Sequence, residues 1–189
     1  MQSALIISSS DKNNDALVKI LLAISCPKVS HVNSSGEARR LIQSMAFDLY
    51  IINCPLNQEN GVELSLDLIA NDTSQVLMMV RSEDFDYISN KVENAGVLTL
   101  AKPFNKGTLY STLKLLKATH SRLSSIHSKN KKLTRKIEDA KYVDRAKAIL
   151  IAQMSMSEEQ AHKYIEKKAM DSRTSRREIC ETILRTYEY

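Results

Sequence analysis

The chain has 189 residues, 43% of them hydrophobic, and a formal net charge of +5, which suits one or two folded domains. No apolar run approaches the roughly 20 residues of a membrane span, and the start, MQSALIISSS, lacks a basic n-region and a cleavage site, so no membrane partner and a cytoplasmic location are expected. Cys26, Cys54 and Cys180 are far apart with no C-x-x-C, which argues against a disulfide framework or a zinc site and for free thiols in a reducing compartment.

In chain order, apolar runs alternate with helical stretches. Strands are expected at residues 4–7, 29–32, 49–52, 76–80 and 97–100. Helices are expected through Leu17, Ile20 and Leu21, over residues 37–45, in or near residues 61–69, through residues 87–94, and from about Lys106 onward. Strands alternating with helices predict a parallel sheet covered on both faces, with its sites at the carboxyl ends of the strands.

The order and spacing resemble a response-regulator receiver domain. Asp48-Leu-Tyr-Ile-Ile-Asn53 stands where that family has Asp-Leu-x-x-x-Asp, and Gly61 falls eight residues later. Ala95-Gly96 and Ala101-Lys102-Pro103-Phe104 match the family's Ala-Gly and Lys-Pro-Phe. The resemblance implies a flavodoxin-like five-stranded parallel sheet and a cis bond before Pro103. It also implies that the site is degenerate. The acidic pair that would hold Mg²⁺ through hard carboxylate oxygens is replaced by Ser8 and Ser9. The carboxylate nucleophile is replaced by Asn53, and the switch hydroxyl by Val80, leaving only Lys102. Asp11 is a lone carboxylate near the first strand, a residue type more often a helix cap than a cation ligand. The domain, residues 1–109, therefore reads as a pseudo-receiver that does not use phosphorylation and could take a regulatory protein partner or a ligand.

Beyond Gly107 the chain has no glycine and, after Pro103, no proline. Leu116, Leu123, Asn130 and Ile137 recur every seven residues, with Thr119, Ile126, Leu133 and Ala140 as the companion series. These are the a and d positions of a coiled coil, and one Asn at an a position fixes a two-stranded register. The competing reading is a single amphipathic helix folded on its own domain. Lys129, Lys131, Lys132, Arg135 and Lys136 flank the seam and would bury poorly, so residues 110–141 are taken as a continuous dimerising helix through Leu116, Leu123, Ile126, Asn130, Leu133 and Ile137.

Residues 142–189 read as a small three-helix all-α domain. Ser157 opens SEEQ and Ser175 opens SRRE, two capping-box signatures that mark helix starts. Ala146, Ile149 and Leu150, then Ala161, Tyr164, Ile165 and Ala169, then Ile179, Ile183 and Tyr187 form three short apolar stripes that must pack on one another. Met154, Met156 and Met170 are expected in that packing. Charge is unevenly divided. Residues 1–110 carry 9 Lys+Arg against 12 Asp+Glu, and residues 111–189 carry 18 against 10, so a polyanion partner is expected at the C-terminal part.

This stretch resembles the ANTAR domain, an RNA-binding module of transcription antiterminators. The residues that carry the likeness are the run Ala146-Lys147-Ala148-Ile149-Leu150-Ile151, the joint Ser157-Glu158 through Ala161, the pair Ala169-Met170, and the basic third helix from Ser175. Two positions depart from the pattern: Ala148 where Gly is usual and Ala140 where Arg is frequent. The resemblance implies that the domain grips stem-loops in a nascent leader transcript and prevents a terminator hairpin. RNA affinity rests on cations that neutralise phosphates, and the candidates are Lys141, Arg145, Lys147, Arg173, Arg176 and Arg177. Tyr142, Tyr164, Tyr187 and Tyr189 are possible stacking platforms, Tyr164 being the one that shares the apolar stripe. The alternatives are a duplex-DNA reader with a helix-turn-helix outline and a partner-binding adaptor. No nucleophile–base pair or metal cluster is readable, and His31, His120, His127 and His162 lack companion ligands, so neither an enzyme nor a cofactor is expected.

Overall fold

A computed structural model describes residues 1–10, 14–57, 59–70 and 73–187. Asp11 and Tyr189 lie outside the described residues. The chain divides into two compact units, Met1–Ile126 and His127–Tyr189.

The first unit is an α/β sandwich. Its strands are β1 (Ser3–Ser8), β2 (Lys28–Val32), β3 (Leu49–Asn53), β4 (Gln75–Arg81) and β5 (Leu98–Lys102), and its helices α1 (Asn14–Ala23), α2 (Ser35–Ile42), α3 (Val62–Ile69), α4 (Phe85–Val92) and the start of α5 (Lys106–Met154). All five strands are parallel, in the order β2-β1-β3-β4-β5. Successive strand residues face opposite sides of a sheet, and the central strands are apolar on both. Leu5, Ile7, Tyr50 and Ile52 meet Ala38 of α2, Leu64 and Leu68 of α3, and Ile88 and Val92 of α4. Ala4, Ile6, Leu49 and Ile51 meet Leu17, Ile20 and Leu21 of α1 and Leu109, Leu113 and Leu116 of α5. Burying a side chain such as Ile51 or Leu21 is worth about 2 kcal/mol relative to exposure, so these two layers hold the unit together.

Local chemistry sets the helix ends. Ser34 accepts from Glu37 N at the start of α2, and Asn105 Oδ1 accepts from Thr108 N at the start of α5. Gly61, before α3, has φ +80°, and a Cβ there would lie 3.1 Å from both Cys54 Sγ and Ile52 Cγ2; the position needs a residue without one. The peptide before Pro103 is cis, as is that before Pro55.

One expectation is corrected. The heptad spacing places Leu116 in the coiled-coil seam, but it is 5% exposed and sits in the α1–α5 layer of the core. Next to it, Lys117 donates to the Ile24 carbonyl. The buried His120 has its Nδ1 2.9 Å from the Thr73 carbonyl. The early turns of α5 are thus built into the sheet domain, past the expected boundary at Leu109.

The second unit comprises the rest of α5, α6 (Glu158–Ser172) and α7 (Arg176–Tyr187). The first of the three expected helices is the end of α5. Ala146, Leu150, Ala161, Ile165, Cys180 and Ile183 form its core, with Tyr142, Ile149, Met156, Tyr164 and Ile179 packed against it. The Ser157 capping box is complete: Ser157 Oγ accepts from Gln160 N at 3.2 Å, and Gln160 Oε1 accepts from Ser157 N at 2.8 Å. At α7, Ser175 Oγ accepts from Glu178 N at 3.2 Å. Met154 and Met170 are exposed rather than packed, and Tyr187 is exposed too. A core this small is filled by the aliphatic and alanine positions, and Met170 faces away from it. Among the described residues no helix is long and apolar enough to cross a membrane.

Candidate functional site

Two sites were expected, one at the carboxyl end of the sheet and one on the basic helices.

The parallel register brings Ser8 beside Asn53 and Asn53 beside Met79, with Lys102 at the end of β5. Asn53 Nδ2 donates to Ser8 Oγ at 3.0 Å, and Lys102 Nζ donates to Asn53 Oδ1 at 2.9 Å and to the Cys54 carbonyl. Ser8 Oγ in turn donates to the Ser10 carbonyl at 3.0 Å. Ser9 is exposed and reaches the Pro55 carbonyl at 3.4 Å. Four of the five expected residues therefore gather at this edge of the sheet. Val80 does not join them: it is fully buried in the core. A hydroxyl is present two residues on, where Ser82 Oγ donates to the Lys102 carbonyl at 2.6 Å. Sequence alignment alone gave no signal for Ser82, because it lies beyond the strand.

The electrostatics follow from the residue types. Among the described residues no carboxylate bonds to Ser8, Asn53 or Lys102. Burial pushes the Lys102 ammonium below the usual lysine range, and Arg81 works in the same direction. Burial pushes the neighbouring Cys54 thiol up to about 12, so that sulfur is not a thiolate nucleophile at neutral pH. The arrangement can hold a polar group by hydrogen bonds. An amide held from both sides offers no carboxylate oxygen for covalent chemistry.

Of the six candidate cations in the second unit, three are tied to carboxylates. Lys141, Arg145 and Arg173 are exposed. Arg173 terminates α6 in the left-handed region, at φ 53°, with its N–H turned back to Met170 and Ala169 carbonyls. Lys147, Arg176 and Arg177 are committed to carboxylates. Lys147 Nζ lies 3.1 Å from Asp144 and 3.0 Å from Glu158. Arg176 lies 3.1 Å from Glu166. Arg177 lies 3.1 Å from Asp139, 3.6 Å from Glu138 and 3.0 Å from Glu181, and its guanidinium sits 4.5 Å over the Tyr142 ring. Hydrogen bonds to Glu181 and Asp139 push its pKa upward. Tyr142 is therefore covered by an arginine, whereas Tyr187 keeps an open face. Sequence reasoning missed these pairings, although Arg177–Glu181 has the i, i+4 spacing that could have flagged one of them.

A five-stranded parallel sheet in the order 2-1-3-4-5, with a lysine–asparagine pair at its carboxyl edge, defines a receiver-type α/β protein. Residues 4–114 match the response regulator receiver domain family, and residues 131–184 match the ANTAR domain. The chain belongs to the response regulator receiver family and carries an ANTAR domain after the receiver. It is similar to the transcriptional regulatory protein PdtaR of Mycobacterium tuberculosis, 23% identical over 158 residues that span 84% of this chain and 77% of that one. Among solved structures, it resembles a two component transcriptional regulator AraC from Clostridium phytofermentans ISDg. That match has a TM-score of 0.60 and 15% identity, covering 66% of this chain and 98% of that one. It also resembles the chemotaxis response regulator CheY4 of Vibrio cholerae, with a TM-score of 0.53 and 21% identity, covering 61% and 98%. At these identities the likenesses to solved structures show the fold alone.

Proposed function

We propose that this protein is an RNA-binding transcription antitermination regulator. In this reading its C-terminal unit grips paired stem-loops in a nascent leader transcript, and holding them keeps a terminator hairpin from forming. The observation that carries it is the ANTAR match over a unit whose surface is dense in Lys and Arg. Phosphate neutralisation supplies the affinity, and loop bases supply the choice of target. Lys141 and Arg173 make the first contacts, with the exposed Arg145 beside Lys141 on α5. Lys147, Arg176 and Arg177 first hold the helices together, and reach phosphate only by exchanging a carboxylate for it.

Two units act together through a homodimer. Leu123, Ile126, Leu133 and Ile137 are 41–59% exposed on α5, at heptad spacing around Asn130. A second copy of that helix is the occupant that fits both spacing and polarity. Two tethered contacts raise the effective concentration, so each can be weak alone. The receiver works without phosphorylation, because Asn53 is an amide bonded on both sides, and it serves as a docking domain for a regulatory protein.

The test is fluorescence anisotropy on leader RNA with one or two stem-loops, in rising salt, with duplex DNA as competitor. Tighter binding of the paired stem-loops, a steep salt slope and resistance to duplex DNA are expected. Equal affinity for single and paired stem-loops, or efficient competition by duplex DNA, overturns the reading.

A further inference from the structure

Beside the Asn53–Lys102 pair, the sheet domain contains a cavity of about 1100 Å³, at the upper end of the size of small-molecule sites. Leu17 and Ile20 of α1, Met79 of β4, Phe104, and Leu109 and Tyr110 of α5 line it. Four of these, Leu17, Ile20, Met79 and Leu109, are buried members of the α1–α5 core layer, so the cavity is an opening of that core to the outside. It lies at the carboxyl edge of a parallel sheet, where such folds bind ligands.

The polar groups around it are mostly of one sign. Among the described residues Lys19, Lys102 and Lys106 line the cavity, against one carboxylate, Asp15. An ammonium has three N–H donors. Those of Lys102 meet only the Asn53 and Cys54 oxygens, both uncharged, so one donor and the charge have no counterpart among the described residues. We infer that this cavity binds a small organic anion with an apolar body, an aliphatic or aromatic carboxylate or sulfonate. Its head sits at Lys102, within the positive field of Lys19 and Lys106. Its body lies between α1 and the start of α5, against Leu17, Ile20 and Tyr110. The anion supplies the charge that Asn53 does not.

The test uses the full chain and two probes of similar shape, anilinonaphthalene sulfonate and the neutral N-phenylnaphthylamine, followed by calorimetry and fluorescence. The sulfonate is expected to saturate one site per chain. Octanoate should displace it, and octylamine should not. Lys102→Met is expected to weaken the sulfonate roughly tenfold, the worth of one charge-assisted hydrogen bond, and to leave the neutral probe nearly unchanged. Ala16→Trp, an exposed rim position, should exclude both probes. If Lys102→Met fails to fold by circular dichroism, the double variant Lys19→Met/Lys106→Met takes its place with the same expected direction. Absence of a saturable site, equal displacement by octylamine, or sulfonate affinity unchanged in both the lysine and the Ala16→Trp variants overturns the inference.

Discussion

Arg177 of α7 sits over Tyr142 of α5, its Cζ 4.5 Å from the ring centroid, while its guanidinium reaches Asp139 and Glu181. The residue works as a clasp within the second unit. A planar guanidinium can stack on the ring while its Nε and Nη1 donate to two separate carboxylates, which a lysine ammonium reproduces only in part. Arg177→Ala and Arg177→Lys are therefore both expected to lower the melting temperature of the full chain's C-terminal transition, the Ala variant more. Thermal scans by far-UV circular dichroism check this; a melting temperature equal to wild type in both variants would show that the clasp stabilises nothing.

Lys141 and Arg173, which form no ion pair with a carboxylate among the described residues, should behave otherwise. Lys141→Ala and Arg173→Ala are expected to leave the melting temperature unchanged. Each is expected to reduce the slope of log affinity for stem-loop RNA against log salt by about 0.7–0.9, the share of one phosphate contact. Arg177→Ala should weaken binding mainly through lost structure, with the slope less affected. Slopes from anisotropy titrations at several salt concentrations separate the two effects.

How far the sequence foretold these roles depends on what each rests on. The strands and their order were legible because burial on both faces forces continuous apolar runs such as Leu49-Tyr50-Ile51-Ile52. The Ser8–Asn53–Lys102 edge was legible because a parallel register fixes which strand ends meet. Arg177 is a candidate RNA contact in the sequence; its Glu181 pairing has a local i, i+4 spacing, but Asp139 lies 38 residues away and no local pattern links them. Leu116 was misassigned for a different reason. A heptad repeat and the buried stripe of a sheet-packed helix share the same spacing over two turns, so only burial could separate Leu116 from Leu123.

That separation has its own consequence. Leu116→Ala removes a side chain from the core, so it is expected to destabilise the sheet domain by about 3 kcal/mol without changing the oligomeric state. Leu133→Lys or Ile137→Lys, both on the exposed face, should convert a dimer to monomer in sedimentation velocity with little change in the sheet domain's urea midpoint. Retention of the dimer by both lysine variants would remove the seam.

Lys102 predicts a pH dependence. Its pKa in the folded chain is lowered below 10.5 by burial. Between the folded value and 10.5, the unfolded chain binds more protons than the folded one. Stability therefore rises with pH in that window. Relative to Lys102→Met, which has no such titration, the wild-type urea midpoint should climb as pH rises through the lowered folded value toward 10.5. A constant difference between the two proteins would mean that the lysine keeps an ordinary affinity for its proton.

Asn53→Asp alone is expected to remain unlabelled by acetyl phosphate in intact-mass spectra, because Ser8 and Ser9 supply no carboxylates for Mg²⁺. Adding Ser8→Asp and Ser9→Asp should allow a phosphoryl adduct to appear. Labelling of the single variant would show that the cation site is supplied by other residues.

Every side chain across residues 127–138 of α5 is exposed. A stretch of about a dozen residues is marginal as a helix when nothing packs against it. In the proposed homodimer a second copy would cover this segment, and local opening there would be governed by association rather than by the folding of either flanking unit. Amide hydrogen exchange in this segment should therefore slow as protein concentration increases, while amides of β1 and β3 keep their rates. If the helices pair as proposed, the middle of the long helix is a built-in gauge of how much of the protein is associated.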